Sequence, residues 1–530
     1  MINTLPQIIK KSVQDAPQQT AFKFDDNQLS YAELWSKMNQ LARALQYNGV
    51  KRGDRVGIYL HKSLESMISV FGILQAGAAY VPIDPHLPLD RLAFILEDCG
   101  IQHLISQPSK SSNISTVADQ TKLKCVIGAG NLHNVTTCLS WSDVYRLDNS
   151  EVKNRLMEQD IAYIMYTSGS TGTPKGIIHT HQSGLTYAQM AAAEYQLSAD
   201  DRLSNFPPLH FDQSIFDIFS GTLAGATVVI IPEEYMKFPA SLSELIEDEH
   251  LTIWYSVPFA LIQLLLHGVL EERNLTSLRW VLYGGEPFPP KHMRGLQQAW
   301  TNARFSNVYG PAEVNQCTAF AIPPLAKDQN EPIPIGRIWP NADGLIVDEE
   351  NKVVPTGEAG ELLVRAPTMM QGYWNRPDLN TKAFFYDQHD GDVQHKYYRT
   401  GDLVQELPDG ELLFLGRKDR QVKVRGYRIE LDEIEAALAD HEAVAEAASY
   451  IKLDSSENKT LEAAVTLKSG LQIDQMALRL HLQQKVPKYA IPEKIVILQD
   501  FPRTGSGKIN RRELQKSLSE NLQLTETSHD

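Results

Sequence analysis

A loop rich in glycine and hydroxyl side chains follows an apolar run and ends in one lysine. The apolar run is Ile161–Met165, and residues 166–176 read Tyr-Thr-Ser-Gly-Ser-Thr-Gly-Thr-Pro-Lys-Gly. Glycines let consecutive backbone N–H groups point into one concavity, hydroxyl groups add donors, and the lysine adds a positive charge, so the segment predicts a strand leading into a polyphosphate site. The candidate ligands are Thr167, Ser168, Gly169, Ser170, Thr171, Gly172 and Lys175.

This loop is not a Walker-type phosphate loop. Gly176 stands where that motif requires a serine or threonine for Mg²⁺, and the spacing of Gly169, Gly172 and Gly176 also differs. The alternative is a flexible, serine-rich surface loop, which is what a short Gly/Ser stretch often is. Its position directly after an apolar strand favours phosphate binding.

Several strings later in the chain carry side chains suited to the same chemistry, although each alone is typical of a turn or a solvated charged segment. They are 305–313 (FSNVYGPAE), 398–402 (YRTGD), 416–419 (GRKD), 421–430 and 504–508 (TGSGK). Together with the loop, and with 29–34 and 74–84, which look structural, this ordered series resembles the adenylate-forming superfamily. That superfamily contains acyl-CoA synthetases, luciferases and the adenylation domains of nonribosomal peptide synthesis.

The resemblance implies that ATP and Mg²⁺ are used and that a carboxylate attacks the α-phosphorus. Charge that builds on the phosphate needs donors, a lysine and Mg²⁺. Lys175, Lys508 and Glu313 are therefore the implied catalytic residues, with Glu313 as the metal ligand and Lys508 touching both the carboxylate and the α-phosphate. Asp402 is implied to accept from both ribose hydroxyls, with Arg417 beside it. The implied nucleotide site also includes Tyr309 against adenine, Asn307, Gly285 and Glu286 at the adenine edge, and Gly310 and Ala312.

One position departs from the family pattern Gly-Pro-Thr-Glu. This chain has Ala312 before Glu313, so a hydroxyl expected to bond the α-phosphate is missing. A neutral hydrogen bond is worth ~0.5–1.5 kcal/mol, and we therefore expect a weakened site that still functions.

The segment Pro208–Phe216 resembles the motif in which amino-acid-activating members set an aspartate against the substrate ammonium. Aryl-acid activators usually carry asparagine there, so Asp212 indicates an α-amino acid. An aspartate ahead of an apolar helix is also a good N-cap, which is the alternative interpretation. The implied pocket, carried over residue by residue, is Asp212, Gln213, Phe216, Tyr255, Leu282, Gly284, Val308, Gln316 and Cys317.

This lining holds no second charge and suits a small or medium apolar side chain. Tyr255, Leu282 and Cys317 resemble the residues of stand-alone enzymes that activate L-proline for pyrrole- or anatoxin-type pathways. The residues that differ from those expected there are Gln213, Phe216 and Gln316. L-Proline is the substrate that the resemblance favours.

Only residues 509–530 follow Lys508, and we find no serine-bearing attachment motif, so we expect the aminoacyl group to pass to a separate phosphopantetheinylated carrier protein.

The family uses one active site for both half-reactions by rotating its C-terminal domain, and Asp419 aligns with the hinge. A strand would turn the basic residues between Arg417 and Arg428 to both of its sides, and the chain carries a net charge of −15, so we expect neither nucleic acid nor membrane as a partner.

The elements that must position these residues are those of a multidomain α/β protein. A chain of 530 residues with 42% hydrophobic and 22% charged residues exceeds the size of one core. Strand-like runs (Arg55–Leu60, Ala226–Ile231) alternate with helix-like ones (Leu64–Gln75, and 431–438), and short strands are predicted between 360 and 415. We expect two α/β subdomains and a β-rich subdomain in 1–415, a loop-like hinge at 416–420, and a small mobile α+β domain in 421–530.

The four cysteines have no metal-type spacing, and no signal peptide or membrane span is evident. We therefore expect free thiols and a cytoplasmic location.

Two other functions stay open. One is an acyl-CoA or aryl-CoA ligase on the same fold. The other, a non-catalytic nucleotide-binding partner of a synthetase, is disfavoured because Lys175, Glu313, Asp402 and Lys508 are all present.

Overall fold

The structure is a computed structural model that describes residues 2–169, 173–387, 393–453, 459–504, 508–511 and 513–518. Its chain forms two compact units. The first comprises Met1–Pro85, Ala93–Tyr166 and Lys175–Asp419, and the second comprises His86–Leu92, Thr167–Pro174 and Arg420–Asp530. The predicted phosphate-loop residues Ser170, Thr171 and Gly172 lie outside the described residues.

The secondary structure alternates between helices and strands, as predicted. The α-helices are α1 (Pro6–Asp15), α2 (Tyr31–Tyr47), α3 (Leu64–Ala76), α4 (Leu89–Asp98), α5 (Ser111–Ala118), α6 (Trp141–Val144), α7 (His181–Glu194), α8 (Pro239–Asp248), α9 (Pro258–His267), α10 (Pro290–Ala299), α11 (Pro377–Ala383), α12 (Leu431–Ala439) and α13 (Gln475–Lys485). The strands are β1 (Thr20–Phe24), β2 (Asn27–Ser30), β3 (Arg55–Ile58), β4 (Ala79–Pro82), β5 (His103–Ile105), β6 (Cys125–Ile127), β7 (Thr137–Leu139), β8 (Ile161–Thr167), β9 (Lys175–Thr180), β10 (Arg202–Asn205), β11 (Thr227–Ile230), β12 (Ile253–Ser256), β13 (Trp280–Gly284), β14 (Arg304–Tyr309), β15 (Thr318–Ile322), β16 (Arg337–Ile338), β17 (Asp343–Val347), β18 (Ala359–Arg365), β19 (Gly372–Tyr373), β20 (Phe384–Asp387), β21 (His395–Glu406), β22 (Leu412–Arg417), β23 (Gln421–Val424), β24 (Tyr427–Glu430), β25 (Val444–Leu453), β26 (Lys459–Leu467) and β27 (Lys494–Leu498).

Two mainly parallel sheets form most of the first unit. Their strand orders are β16-β15-β14-β13-β12-β10-β11-β1-β2 and β19-β9-β8-β4-β3-β5-β6-β7. The central strands β12 and β13 are buried at every position, as expected for parallel strands covered on both faces. The predicted helix in 64–75 is α3, which begins after the N-cap Ser63 and ends at Gly77, whose φ of 92° is the left-handed conformation that glycine adopts without strain.

An antiparallel sheet completes the first unit, with the order β17-β18-β21-β20 and β22 paired to β21. The predicted α/β class with an added β-rich subdomain is confirmed. The loop-like conformation predicted for Gly416 and Arg417 was wrong, because these two residues belong to strand β22. The register pairs Leu403 with Gly416 and Asp402 with Arg417, so the ladder with β21 extends the strand to Arg417.

The second unit has its own core. Strands β23 and β24 form a hairpin, and β25, β26 and β27 form a three-stranded sheet. The helix predicted from 431, 434 and 438 is α12, and its buried residues Leu431, Ile434 and Leu438 pack with Leu478 and Leu482 of α13. The unit is therefore a small α+β domain, as predicted.

All four cysteines are free, in agreement with the sequence prediction, and only Cys138 is more than slightly exposed. Among the described residues, no helix combines the length and the apolar character needed to cross a bilayer.

Candidate active site

The residues predicted to face adenine lie at the carboxyl ends of two adjacent parallel strands. Strands β13 and β14 pair with Gly284 opposite Val308, so Gly285 and Glu286 follow the end of one strand while Tyr309 ends the other. Ligands of α/β sheets bind at such strand ends. The side chain of Asn307 is buried and donates to the carbonyl of Pro334 at 2.8 Å, which leaves its amide oxygen as the group for an adenine edge.

A tight turn after β14 presents Glu313. A Cβ atom on Gly310 would lie 2.1 Å from the carbonyl oxygen of Asn315, so only glycine fits there. The backbone N–H of Val314 donates to Pro311 at 2.8 Å, and that of Cys317 donates to Tyr309 at 3.0 Å. The turn is therefore closed by its own backbone.

Glu313 is fully buried and is contacted by a lysine and a tyrosine. The hydroxyl of Tyr373 donates to its Oε1 at 2.7 Å, and Nζ of Lys175 lies 3.5 Å from the same oxygen. Lys175 also donates to the Tyr373 hydroxyl at 3.3 Å and lies 4.7 Å from the ring centre. A buried carboxylate with these partners can stay ionised, and a single carboxylate supplemented by phosphate oxygens is a usual way of holding Mg²⁺. The residues present thus fit the implied metal.

Tyr373 was missed by the sequence analysis. It reaches this site because Tyr373 of β19 pairs with Ile177 of β9, two residues after Lys175. Side chains alternate along a strand, so Lys175 and Tyr373 share one face. No local sequence pattern predicts the pairing of β9 with β19, because about 200 residues of sequence separate the two strands.

Asp402 is held at both carboxylate oxygens. The hydroxyl of Tyr309 donates to Oδ2 at 2.5 Å, and Nη1 of Arg417 donates to Oδ1 at 2.7 Å. Burial, and next the neighbouring Asp402 charge, raise the pKa of Tyr309, so the tyrosine stays a donor. Arg417 further donates through Nε and Nη2 to Asp419, at 2.7 Å each. Tyr309, Asp402, Arg417 and Asp419 thus form one network.

Most of the candidate amino-acid pocket lies on one face of three adjacent strands. Tyr255 of β12 pairs with Leu282 of β13, and Gly284 pairs with Val308 of β14, so these four residues share a face. Phe216 packs edge-on against Tyr255, with ring centres 5.4 Å apart. These contacts make an apolar wall.

Gly284 allows the three strands to pack closely at this wall. A Cβ atom on Gly284 would lie 2.6 Å from the carbonyl oxygen of Val308 and 3.2 Å from the hydroxyl of Tyr255. The amide of Gln213 points to the same strand end, with Nε2 at 3.5 Å from the carbonyl oxygen of Gly284.

Asp212 lies close to this wall. Burial, and next the negative charge of Asp212, raise the pKa of Tyr255. The Oδ1 atom of Asp212 accepts from the backbone N–H of Gln213 at 3.1 Å. The chain then turns into a π-helical stretch, Phe216–Gly221, a conformation often found at functional sites.

Two predicted pocket residues have different surroundings. The thiol of Cys317 donates to the carbonyl of Tyr309 at 3.7 Å and packs with Ile177 and Val314, in a different hydrophobic cluster from Tyr255 and Leu282. Gln316 is buried and donates to the hydroxyl of Tyr195 at 3.4 Å, while its Oε1 finds no hydrogen-bond partner among the described residues. Tyr195 in turn packs edge-on against Phe216, which links Gln316 to the wall indirectly.

Thr167, Ser168 and Gly169 of the phosphate loop belong to the second unit, whereas Lys175 belongs to the first. The hydroxyl of Ser168 donates to the carbonyl of Arg428 at 2.9 Å, and the buried hydroxyl of Thr167 has no hydrogen-bond partner within the described part of the chain. A Cβ atom on Gly169 would lie 2.2 Å from the carbonyl oxygen of Thr173, so the loop is tight there. A buried hydroxyl of this kind is a donor suited to a phosphate.

Lys508 also lies in the second unit and is exposed. Its carbonyl accepts from the backbone N–H of Thr504 at 2.8 Å. Residues 505–507 between them are outside the described part of the chain.

Several members of the predicted basic run are bound to carboxylates. Lys418 lies 3.3 Å from Glu361, Arg420 pairs with Asp432 and Glu435, and Arg425 pairs with Glu493. Their charge is largely neutralised within the protein.

Comparison with known proteins identifies relatives along most of the chain. A sequence profile described as AMP-binding enzyme matches residues 9–374, and one described as the AMP-binding enzyme C-terminal domain matches 433–508. The chain is 32% identical over 502 residues to an L-proline--[L-prolyl-carrier protein] ligase of Pseudomonas fluorescens, a match that covers 95% of this chain and 97% of that protein.

Two further relatives are a much longer synthase and a solved adenylation domain. The chain is 34% identical over 511 residues to bacitracin synthase 1 of Bacillus licheniformis, a match that covers 96% of this chain and 9% of that protein. Its fold superposes on the adenylation domain AlmE of Vibrio cholerae, solved in complex with glycyl-adenosine-5′-phosphate, with a TM-score of 0.82, 25% identity and 98% coverage of both chains.

Proposed function

The chain belongs to the AMP-binding enzyme family, and from this premise we propose that it is an ATP-dependent ligase that activates an amino acid and passes it to a carrier protein. In the first step a carboxylate oxygen of the amino acid attacks the α-phosphorus, which forms aminoacyl-AMP and releases pyrophosphate. In the second step the phosphopantetheine thiol of the carrier loses its proton and attacks the acyl carbon, which forms a thioester and releases AMP.

The observation that carries this proposal is the position of Asp212 next to the apolar wall of Phe216, Tyr255, Leu282 and Val308. Asp212 directly precedes Gln213, whose amide Nε2 lies 3.5 Å from the carbonyl oxygen of Gly284 in the same sheet face. A negative charge beside an apolar surface suits a substrate with an ammonium at one end and an apolar side chain at the other. A fatty acid or an aryl acid offers no ammonium to that charge.

Glu313 and Lys175 are assigned to the phosphates. Mg²⁺ bound with the nucleotide would supply positive charge to the phosphate oxygens, and Glu313 would hold it. The Tyr373 hydroxyl bridges Lys175 and Glu313, so it keeps the lysine beside the carboxylate. Lys175 would then donate to a phosphate oxygen on which charge develops.

The ribose is assigned to Asp402. Its oxygens already accept from Tyr309 and Arg417, so the carboxylate is fixed in place before the nucleotide arrives. Ribose hydroxyls would add to these donors or displace the Tyr309 hydroxyl, whose ring is then available to adenine. Gly285, Glu286 and Asn307, at the ends of β13 and β14, are assigned to the adenine edge.

L-Proline is the amino acid we propose. The wall is apolar, and any side chain at position 284 would meet the carbonyl oxygen of Val308 and the hydroxyl of Tyr255, so only glycine keeps this wall as it is beside a compact apolar substrate. The Pseudomonas fluorescens relative, matched over almost its full length, is named for L-proline. Gln213 is the residue that would adjust the fit, because its amide lies 3.5 Å from the carbonyl oxygen of Gly284, and Gln316 would act indirectly through Tyr195.

We further propose that 1–415 is the adenylation core, 416–420 the hinge and 421–530 a mobile domain that brings Lys508 to the first step and the Arg425–Tyr427 hairpin turn to the second. The division of the chain into compact units after Asp419 supports this assignment. A few residues at such a junction can absorb the change of dihedral angles.

The experiment that tests the proposal is pyrophosphate exchange into ATP with each of the standard amino acids, followed by acceptor tests with coenzyme A and with a phosphopantetheinylated carrier protein. We expect exchange that depends on one small apolar amino acid, best with L-proline, and transfer to the carrier. Exchange driven only by acids without an amino group, with transfer to coenzyme A, would instead identify the acyl-CoA or aryl-CoA ligase. No exchange with any acid would favour a non-catalytic nucleotide-binding protein.

A further inference from the structure

Strand β9 contacts the Glu313 turn through alternate side chains. Lys175, Ile177 and His179 lie on one face of the strand because side chains alternate with a period of two. Lys175 lies 3.5 Å from the Glu313 carboxylate, and Ile177 packs in one cluster with Val314. His179 makes the third contact, with the backbone of the same turn.

His179 is buried and its ring is fixed on three sides. Its Nε2 lies 2.9 Å from the carbonyl oxygen of Ala312, and its Nδ1 lies 3.1 Å from the hydroxyl of Ser183. The ring stacks on Tyr163, with centres 4.9 Å apart and planes at 21°.

These contacts determine the tautomer of His179. A carbonyl oxygen only accepts, so Nε2 must carry the hydrogen and donate it to Ala312. Burial lowers the pKa of His179 to about 4, so the ring is neutral near pH 7 and Nδ1 is an acceptor. The Ser183 hydroxyl also lies 3.0 Å from the carbonyl of Thr180, so it can keep a partner if Nδ1 is lost.

The two peptide groups on either side of Glu313 are both anchored. The Ala312 carbonyl, in the peptide before Glu313, accepts from His179, and the Glu313 carbonyl, in the peptide after it, accepts from the backbone N–H of Met370 at 2.7 Å. The orientations of these two peptide planes define φ and ψ of Glu313. They therefore set the direction in which its carboxylate leaves the backbone.

We propose that His179 is a positioning residue that orients Glu313 for metal-bound nucleotide through the Ala312 carbonyl. The inference rests on the proposed role of Glu313 in holding Mg²⁺. Residue 312 is alanine, whose side chain has no hydrogen-bonding group, so the hydrogen bond from His179 to its carbonyl adds to the backbone bonds that close this turn. His179 has no contact with substrate in this role and acts only through the turn.

The test compares His179→Gln with His179→Met. The two replacements have nearly the same length, and the glutamine amide can place a donor where Nε2 stood whereas the methionine cannot. Binding of an α,β-methylene analogue of ATP is measured by calorimetry with and without Mg²⁺, so no turnover is needed. The readout is the gain in affinity that Mg²⁺ provides.

We expect His179→Met to reduce the Mg²⁺-dependent gain about tenfold, as for loss of one buried hydrogen bond, while affinity without Mg²⁺ stays within about twofold. His179→Gln should keep most of the gain. If the methionine variant fails to fold, as judged by thermal unfolding, His179→Asn takes its place, because its amide corresponds to Nδ1 and falls short of Ala312.

His181→Asn is the matched control. His181 is also buried, but its Nδ1 accepts from the backbone N–H of Leu5 at 3.3 Å, away from the turn. Its replacement should leave the Mg²⁺-dependent gain unchanged. Equal gains for His179→Gln and His179→Met, or an equal loss in His181→Asn, would overturn the inference. A wild-type protein that shows amino-acid-dependent exchange but no Mg²⁺-dependent gain would overturn it as well, whereas absence of that exchange would count against the proposed function itself.

Discussion

The Asp402 carboxylate accepts a hydrogen bond of 2.7 Å from Nη1 of Arg417. The same guanidinium binds both oxygens of Asp419 through Nε and Nη2. One planar side chain therefore joins the residue proposed to bind ribose to the residue proposed as the hinge. A lysine at position 417 cannot make these hydrogen bonds to both carboxylates, because an ammonium is a point charge without the rigid, planar fork of a guanidinium.

Replacement of Arg417 by lysine should weaken nucleotide binding while leaving the fold intact. Asp402 keeps a cation nearby but loses a charge-assisted bond of defined direction, worth ~1.5–3 kcal/mol. We expect KM for ATP to rise about tenfold or more, with kcat changed much less. The measurement is the rate of pyrophosphate exchange as a function of ATP concentration. An unchanged KM for ATP would show that Asp402 does not depend on Arg417 for nucleotide binding.

Tyr373→Phe should impair adenylation. The change removes the hydroxyl that bridges Lys175 and Glu313 and leaves a fully buried carboxylate with one donor fewer. We expect kcat/KM for ATP to fall about tenfold to a hundredfold, which corresponds to ~1.4–2.8 kcal/mol. Tyr398→Phe is the control, because it removes a neighbouring hydroxyl, 3.4 Å from that of Tyr373, and leaves the Tyr373 bridge in place. Comparable losses of kcat/KM in the two variants would contradict the role of the Tyr373 hydroxyl as the bridge between Lys175 and Glu313.

The two half-reactions should separate in variants of Lys508 and Asp419. Lys508→Ala should impair pyrophosphate exchange and spare carrier loading from supplied aminoacyl-AMP. Asp419→Pro, which restricts φ at the proposed hinge, should do the reverse. Asp419→Ala also loses the bonds to Arg417 but leaves φ unrestricted, so it should load the carrier better than the proline variant. Parallel loss of both steps in the lysine and proline variants, with normal circular dichroism, would count against domain alternation.

Buried histidines should make the protein less stable in mild acid. Burial lowers the pKa of both His179 and His181 to about 4, from an ordinary value of 6.5. Between these values the unfolded chain binds more protons than the folded one, so the free energy of unfolding falls as pH falls, by up to ~1.4 kcal/mol per pH unit for each histidine.

His181→Asn should remove the contribution of one histidine. Its asparagine amide oxygen can still accept from Leu5, and it does not titrate. Urea unfolding at pH 7 and pH 5 should show a shallower loss of stability in the variant, by about 1 kcal/mol per pH unit. Identical slopes in the two proteins would mean that His181 does not stay neutral in the folded state.

The sequence predicted what short strings encode. Gly310 and Glu313 lie three positions apart in one motif, and the structure makes them parts of one closed turn, because the tight fit of Gly310 against Asn315 is a local backbone requirement. The helix at 64–76 was predictable for a similar reason, since its capping serine and terminal glycine lie next to the apolar run.

Features that depend on pairing between distant strands were not predictable. Tyr373 and His179 reach the Glu313 turn only because β9 pairs with β19 and lies against residues 310–315. Strand β22 continues to Arg417 because β21 offers it a partner at Asp402, although the sequence there is charged and loop-like. Cys317 was expected beside Leu282 on the basis of the resemblance alone, and its thiol points to the carbonyl of Tyr309.

The central claim is that Asp212 recognises the ammonium of an amino acid, and two ring acids test it most directly. L-Proline and cyclopentanecarboxylic acid share ring size and carboxylate and differ in the ring nitrogen. We predict that exchange with L-proline exceeds that with the carbocycle by about tenfold to a hundredfold, since the proline ammonium can make a charge-assisted bond to Asp212, worth ~1.5–3 kcal/mol, that the carbocycle cannot make. In Asp212→Ala this preference should disappear, whereas Gln213→Ala should retain it. Equal exchange with both acids in the wild-type protein would contradict the account.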